Sequence, residues 1–147
     1  RKGRLNSLMS ETFADKVKAL NLPLDQIIAI GSGILDQLGI RPASDIDLAA
    51  SSDLMKKLSE ESGDWIKKFD DDQRFYFVKD DGSAEVWDGL DFDGQAVSYD
   101  DLLDYAVEYD GVRFVNLEFL SRWKKWRSRE KDVQDVKLID EWRANNE

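Results

Sequence analysis

The stretch from Ile28 to Ser51, IAIGSGILDQLGIRPASDIDLAAS, holds two short apolar runs and one conflict. The run from Gln26 to Ile30 is rich in isoleucine and closed by Gly31, the pattern of a buried strand. The run from Ile46 to Ala50 is a second strand, but it carries Asp45 and Asp47 at its entrance. Aspartate is a poor strand former. Side chains two apart in a strand point to the same side, so Asp45 and Asp47 project together while Ile46 and Leu48 turn into the core. Two carboxylates about 4 Å apart repel by on the order of 4 kcal/mol in a protein-like dielectric. A fold that keeps them together screens them, and Mg²⁺ does so with oxygen ligands while keeping positions open for water and phosphate. The bland alternative is a loop cap plus a surface carboxylate.

Composition narrows the chemistry further. The chain has neither Cys nor His, which removes disulfides, thiolate zinc sites, Ser-His-Asp triads and imidazole metal sites. Any chemistry falls to carboxylates, Lys, Arg, Ser, Tyr or a hard metal ion. The formal net charge of −10 argues against generic binding to duplex nucleic acid. No apolar run approaches the ~20 residues that span a bilayer, and no signal-peptide pattern is present. These features predict a cytoplasmic protein without a membrane partner. With 147 residues, 41% of them hydrophobic, one globular domain is expected over residues 9–147. Met9-Ser10-Glu11 reads as a natural start, so residues 1–8 are expected to be a disordered or cloning-derived leader outside the fold.

Helical spacing of Phe13, Val17 and Leu20 predicts a first helix over 10–20, capped by Ser10 or Thr12. A short helix follows over 34–38, and another over 53–61 with Ser52 as its cap. Trp65, Ile66 and Phe69 are expected to continue the packing of that helix. Strands are predicted over 74–78 and 84–87, joined by the Asp80-Asp81-Gly82-Ser83 turn. Residues 88–94 read as an acidic loop, 99–106 as a helix and 112–115 as a strand. Two closing helices are predicted over 117–127 and 131–142. The expected class is α/β (α+β), a mixed sheet packed with helices; the hairpin excludes an all-parallel sheet.

Gly31-Ser32 lies where a phosphate site is needed. Glycine lets the backbone approach a ligand closely, and the Ser32 hydroxyl and nearby N–H groups open a helix. A plain strand-to-helix turn is the competing reading. Asp70-Asp71-Asp72, Asp80-Asp81 and the acids of 88–93 lack the spacing of a calcium loop and read as solvated turns. Trp123, Trp126 and Trp142 are expected to pack in the core and between helices, with base-stacking platforms as the alternative.

An apolar strand, Gly31-Ser32, twelve residues and then Asp45-Ile46-Asp47-Leu48 resembles the DNA polymerase β-type nucleotidyltransferase superfamily. Lys124, followed by Arg129-Glu130-Lys131-Asp132-Val133-Gln134-Asp135, is similar to the closing helices of small bacterial nucleotidyltransferase-like proteins, including the AbiEii type. The resemblance covers roughly residues 26–142 and is more specific for fold than for substrate. It implies a nucleotidyltransferase-like mixed sheet and a third carboxylate on a later strand, Glu85, with Asp88 as runner-up. It implies Mg²⁺ on Asp45, Asp47 and Glu85, and transfer of a nucleotide from an NTP to an acceptor hydroxyl. The phosphates would meet Gly31, Ser32, Lys124, Arg129 and Lys131; the competing reading leaves Lys124 on a solvated helix face and pairs Arg129 and Lys131 with Asp132, Asp135 or Glu118. The acceptor is unknown, with toxin-like and antibiotic-modifying roles in view, and an antitoxin or a second copy of the chain is an expected partner. The alternative is a catalytically weak or inactive module of the same fold acting through a partner. Two positions depart from the family pattern: Gly33 stands where larger residues are common, and the third acid is a Glu, one methylene longer than Asp.

Overall fold

The computed structural model describes residues 11–61 and 63–147. The leader expected at residues 1–8, and the cap considered at Ser10, lie outside the described residues. Strand β1 (Ile27–Ile30) is buried along its whole length. It pairs antiparallel with β2 (Ile46–Ala50), Ile30 opposite Asp47. Strand β2 in turn runs parallel to β5 (Ala84–Trp87), Asp47 opposite Glu85. The predicted hairpin is present: β4 (Phe75–Lys79) returns antiparallel as β5 through the turn at 80–83. On the far side β1 lies parallel to β9 (Val112–Val115). With β3 (Trp65–Phe69) and β8 (Ala106–Tyr109) at the edges, the order is β3-β4-β5-β2-β1-β9-β8. The fold is therefore a mixed seven-stranded sheet packed with helices. A separate two-stranded ribbon, β6 (Gly89–Phe92) with β7 (Gln95–Ser98), completes the described strands.

Three elements depart from expectation, each for a local reason. Trp65–Phe69 extends no helix; it is an edge strand whose Ile66 and Phe69 are exposed, so burial does not mark it in the sequence. The acidic stretch after Trp87 is the β6–β7 hairpin, turned at Asp93-Gly94 with φ of 54° and 78°. Left-handed conformation at both turn residues is what a two-residue hairpin with the right twist requires. Asp110-Gly111 repeats the device with φ of 52° and 81° between β8 and β9. The helix expected over 99–106 thus stops early, as α4 (Tyr99–Leu102) with a 3₁₀ turn, and β8 begins at Ala106.

The helices follow their caps. Thr12, with Asp15, forms a capping box for α1 (Phe13–Lys18). Ser51, one residue before the expected cap, accepts the Leu54 N–H at 3.1 Å and starts α3 (Ser52–Glu60). Asn116 caps α5 (Leu117–Arg127), which ends at Ser128 in the left-handed conformation. Last comes α6 (Glu130–Asn146), longer at both ends than expected. Between β1 and β2, α2 (Gly33–Gln37) opens directly against α1.

That contact explains Gly33. A Cβ there would stand 2.5 Å from the ring of Phe13, which is itself buried. Gly33→Ala should therefore destabilise by about 1–3 kcal/mol and lower the melting temperature by several degrees in thermal unfolding. Adding Phe13→Leu should recover part of the loss; no recovery would place the strain elsewhere in the turn.

Candidate functional site

Because β1 and β2 are antiparallel and β2 and β5 parallel, the end of β1 and the starts of β2 and β5 share one end of the sheet. Asp47 and Glu85 sit side by side there, both half-buried. Ile46 and Leu48 are buried, as strand alternation predicts. Asp45 lies one residue before β2 and is exposed. Gly31 takes φ of +72°, and a Cβ on it would stand 3.6 Å from Asp47 Oδ2. A glycine therefore keeps open the space above this carboxylate. Glu85 is held by the Trp87 indole, whose N–H donates to Oε1 at 2.9 Å. Trp87 is in turn stacked on Tyr76, ring centroids 4.1 Å apart. Asp88 is exposed beyond β5 and does not line the cleft described below.

The Asp47 carboxylate has no hydrogen-bond partner among the described residues, although its backbone is paired in β2. Burial first, then the charges of Glu85 and Asp45, push its carboxyl up to about 6, against smaller opposing effects of Arg127 and Lys131. No group of three acids among the described residues is gathered tightly enough to hold a metal ion as it stands. The donor chemistry nevertheless fits a hard divalent cation: oxygen atoms only, mutually repelling, beside a glycine gap. Asp47 and Glu85 are the residues that would hold it, with Asp45 exposed one residue before β2.

A cleft of about 920 Å³ opens over these acids. Its opposite wall is basic and comes from α5, α6 and the loop before β2. Arg41 donates to Asp135 through Nε at 2.6 Å and Nη2 at 2.7 Å, and Nη2 also donates to Ser32 Oγ at 3.0 Å. Lys124 is buried, its ammonium 2.9 Å from Asp135 and 3.4 Å from Asp132. Arg129 closes on Asp132 at 2.7 Å, with Arg127 at 3.9 Å. Burial opposes ionisation of Asp132, but the Arg129 hydrogen bonds and the Arg127 charge prevail and hold its carboxyl at about 2. Burial and the Arg129 charge draw the Arg127 guanidinium below its usual value.

The expected residues are thus divided. Asp45, Asp47, Glu85, Gly31 and Ser32 meet at one end of the sheet and line the cleft together. Lys124 and Arg129 line it too but are paired with buried carboxylates. Lys131 is exposed, lines the cleft and has no ion pair within 4 Å among the described residues. Arg41 and Arg127 were not expected. Arg127 falls one helical turn after Trp123 and Lys124, a spacing that places it on the same helix face. Arg41 reads locally as a loop residue. No protein-family model, curated protein or solved structure matches the chain.

Two stability effects of opposite sign follow. A carboxyl raised above its unfolded value of 3.8 binds more protons in the folded state, so folding loses stability as pH rises from about 4 through about 6. In chelator at pH 7, Asp47→Asn should stabilise by about 2 kcal/mol, roughly 4–8 °C in thermal unfolding, and the gain should vanish below about pH 4. Lys124→Met should instead destabilise by about 3–5 kcal/mol, because it leaves two buried carboxylates short of a cation. A change under about 1 kcal/mol in urea unfolding would mean Arg41 and Arg129 suffice for them.

Proposed function

We propose that the chain is a nucleotidyltransferase-fold protein that moves a nucleoside monophosphate from an NTP to an acceptor hydroxyl. One observation carries the reading: Asp47 and Glu85 are neighbours in register, beside the Gly31 turn and across a cleft from Arg127 and Lys131. A Mg²⁺ ion bound by Asp47, Glu85 and Asp45 would neutralise charge on the phosphates. Arg127 and Lys131 face the same space and balance the remaining negative charge as it shifts toward the leaving group. The acceptor oxygen forms a bond to the α-phosphorus, the bond from that phosphorus to the bridging oxygen breaks, and pyrophosphate leaves. The acceptor's proton passes to a carboxylate, with Glu85, fixed by Trp87, in the best-held position. Positioning supplies much of the acceleration in such a transfer.

A specific feature favours a second reading. The Ser32 hydroxyl already accepts from Arg41, and Arg41 and Lys124 are both committed to Asp135. A cradle engaged from within suits a module that binds nucleotide with little or no turnover and acts through a partner.

Thermal unfolding with each of ATP, GTP, CTP and UTP, with and without Mg²⁺, tests the reading. At a hundred times its dissociation constant, a ligand adds about 2.7 kcal/mol, roughly 5–10 °C for a chain of this size. The expected result is a Mg²⁺-dependent rise for at least one nucleotide, absent from Asp45→Asn/Asp47→Asn. No rise with any of the four sinks the proposal. A rise without pyrophosphate release over a panel of acceptors turns the balance to the binding module.

A further inference from the structure

The basic wall does not end at the main cleft. A side groove of about 570 Å³ adjoins it, lined by Asp91, Trp123, Trp126, Arg127 and Arg129. All of these except Trp126 also line the main cleft. The two spaces therefore adjoin along Arg127 and Arg129.

The two tryptophans of this groove differ in availability. Trp123 is committed: its indole N–H donates to the Asp91 carbonyl at 2.9 Å, and Arg127 lies over its ring at 4.2 Å from the centroid. Trp126 has no such partner among the described residues. Phe92 backs it, centroids 5.7 Å apart, and the residue is 42% exposed. Packing between helices, the role expected from the sequence, does not describe it. A large aromatic surface left in water beside two guanidinium groups suits a ligand that carries a ring and negative charge together.

Charge supports the same ligand. Arg41, Lys124, Arg127, Arg129 and Lys131 surround Asp132 and Asp135, and the Asp91 carboxylate at the groove is itself paired with Arg74 at 2.6 Å. The local balance is a positive excess in a chain whose net charge is −10. Phosphates drawn to Arg127 and Lys131 would leave the rest of a nucleotide pointing along the wall toward Trp126.

We infer that the side groove is the nucleobase subsite of the proposed nucleotide site, with the base stacked on Trp126 and the phosphates running past Arg127 toward Asp47. This assignment rests on the proposed function and adds to it where the ring goes. Stacking of this kind is tolerant of base identity, because every base offers a flat face.

Equilibrium binding of ATP and of inorganic tripolyphosphate, both with Mg²⁺, separates the two ideas. Trp126→Leu should weaken ATP about ten-fold and leave tripolyphosphate unchanged, and Trp126→Phe should recover most of the ATP affinity. Asp47→Asn should weaken both ligands. If Trp126→Leu binds ATP like the wild type while Asp47→Asn does not, the base subsite is overturned and the proposed function stands. Equal weakening of ATP and tripolyphosphate by Trp126→Leu also overturns it, since the ring would then be shaping the phosphate wall. If the wild type binds neither ligand, the base subsite falls, and the proposed function falls with it when GTP, CTP and UTP also fail to bind. Trp126 is exposed, so a matching melting temperature for Trp126→Leu confirms that folding is not the cause.

Discussion

Asp135 takes both Arg41 hydrogen bonds on its two oxygens and the Lys124 ammonium on one of them, almost wholly out of water. Through Arg41 it reaches the Ser32 hydroxyl in the turn after β1. Through Lys124 it reaches Asp132, Arg127 and Arg129. One carboxylate on α6 thus joins the last helix, the helix before it, the loop before β2 and the turn that borders the acids. Buried charges are expensive to desolvate, and a buried pair adds less stability than an apolar replacement often would. What such a network does well is fix an arrangement: apolar packing tolerates a sliding helix, whereas a bidentate guanidinium-carboxylate pair does not. The basic wall faces the acids because Asp135 holds it there.

The cleft is divided by charge. Asp45, Asp47 and Glu85 crowd one side without a cation in contact, while α5 and α6 carry more positive charge than their own carboxylates cancel. Arg127 and Lys131 are near enough to lower the Asp47 carboxyl but too far to pair with it. Separated charges of this kind do little for the folded chain by itself. They become favourable when something of mixed charge lies between them. A cation beside the acids and phosphates beside the arginines would satisfy both walls at once.

Much of this was legible in the sequence because it is local. Asp45, Asp47 and the Gly31 turn belong to one short segment, and strand alternation alone aims Asp47 at the site. Glu85 is less local, yet the hairpin that carries it is announced by Asp80-Asp81-Gly82-Ser83. The edges of the sheet were harder. β3 exposes Ile66 and Phe69 around Lys67 and Lys68, so hydrophobic alternation gives no strand signal there. At both hairpins the Asp-Gly pairs were present as turn signals, but the acidic residues around them and the helical spacing before Ala106 masked β6, β7 and β8, whereas β9 was legible. The Arg41–Asp135 contact has no local signature, since 94 positions separate the partners. Arg41 resembles any loop arginine until the fold brings α6 beneath it.

Stability and chemistry pull apart at the two ends of this cleft. Asp132 is ionised more readily in the folded chain than outside it, so the network contributes stability at every pH above about 4 and loses it only as the pH falls toward 2. Asp47 does the reverse, and its charge near neutrality weakens the fold that carries it. A chain selected for stability alone would place a neutral residue at position 47, where strand register and the neighbouring Glu85 both disfavour a second carboxylate. The protein's own groups leave the charge of Asp47 largely uncompensated, and the cost is borne by the rest of the fold. At Gly31 a side chain would come up against the Asp47 carboxylate, and the left-handed backbone there favours glycine.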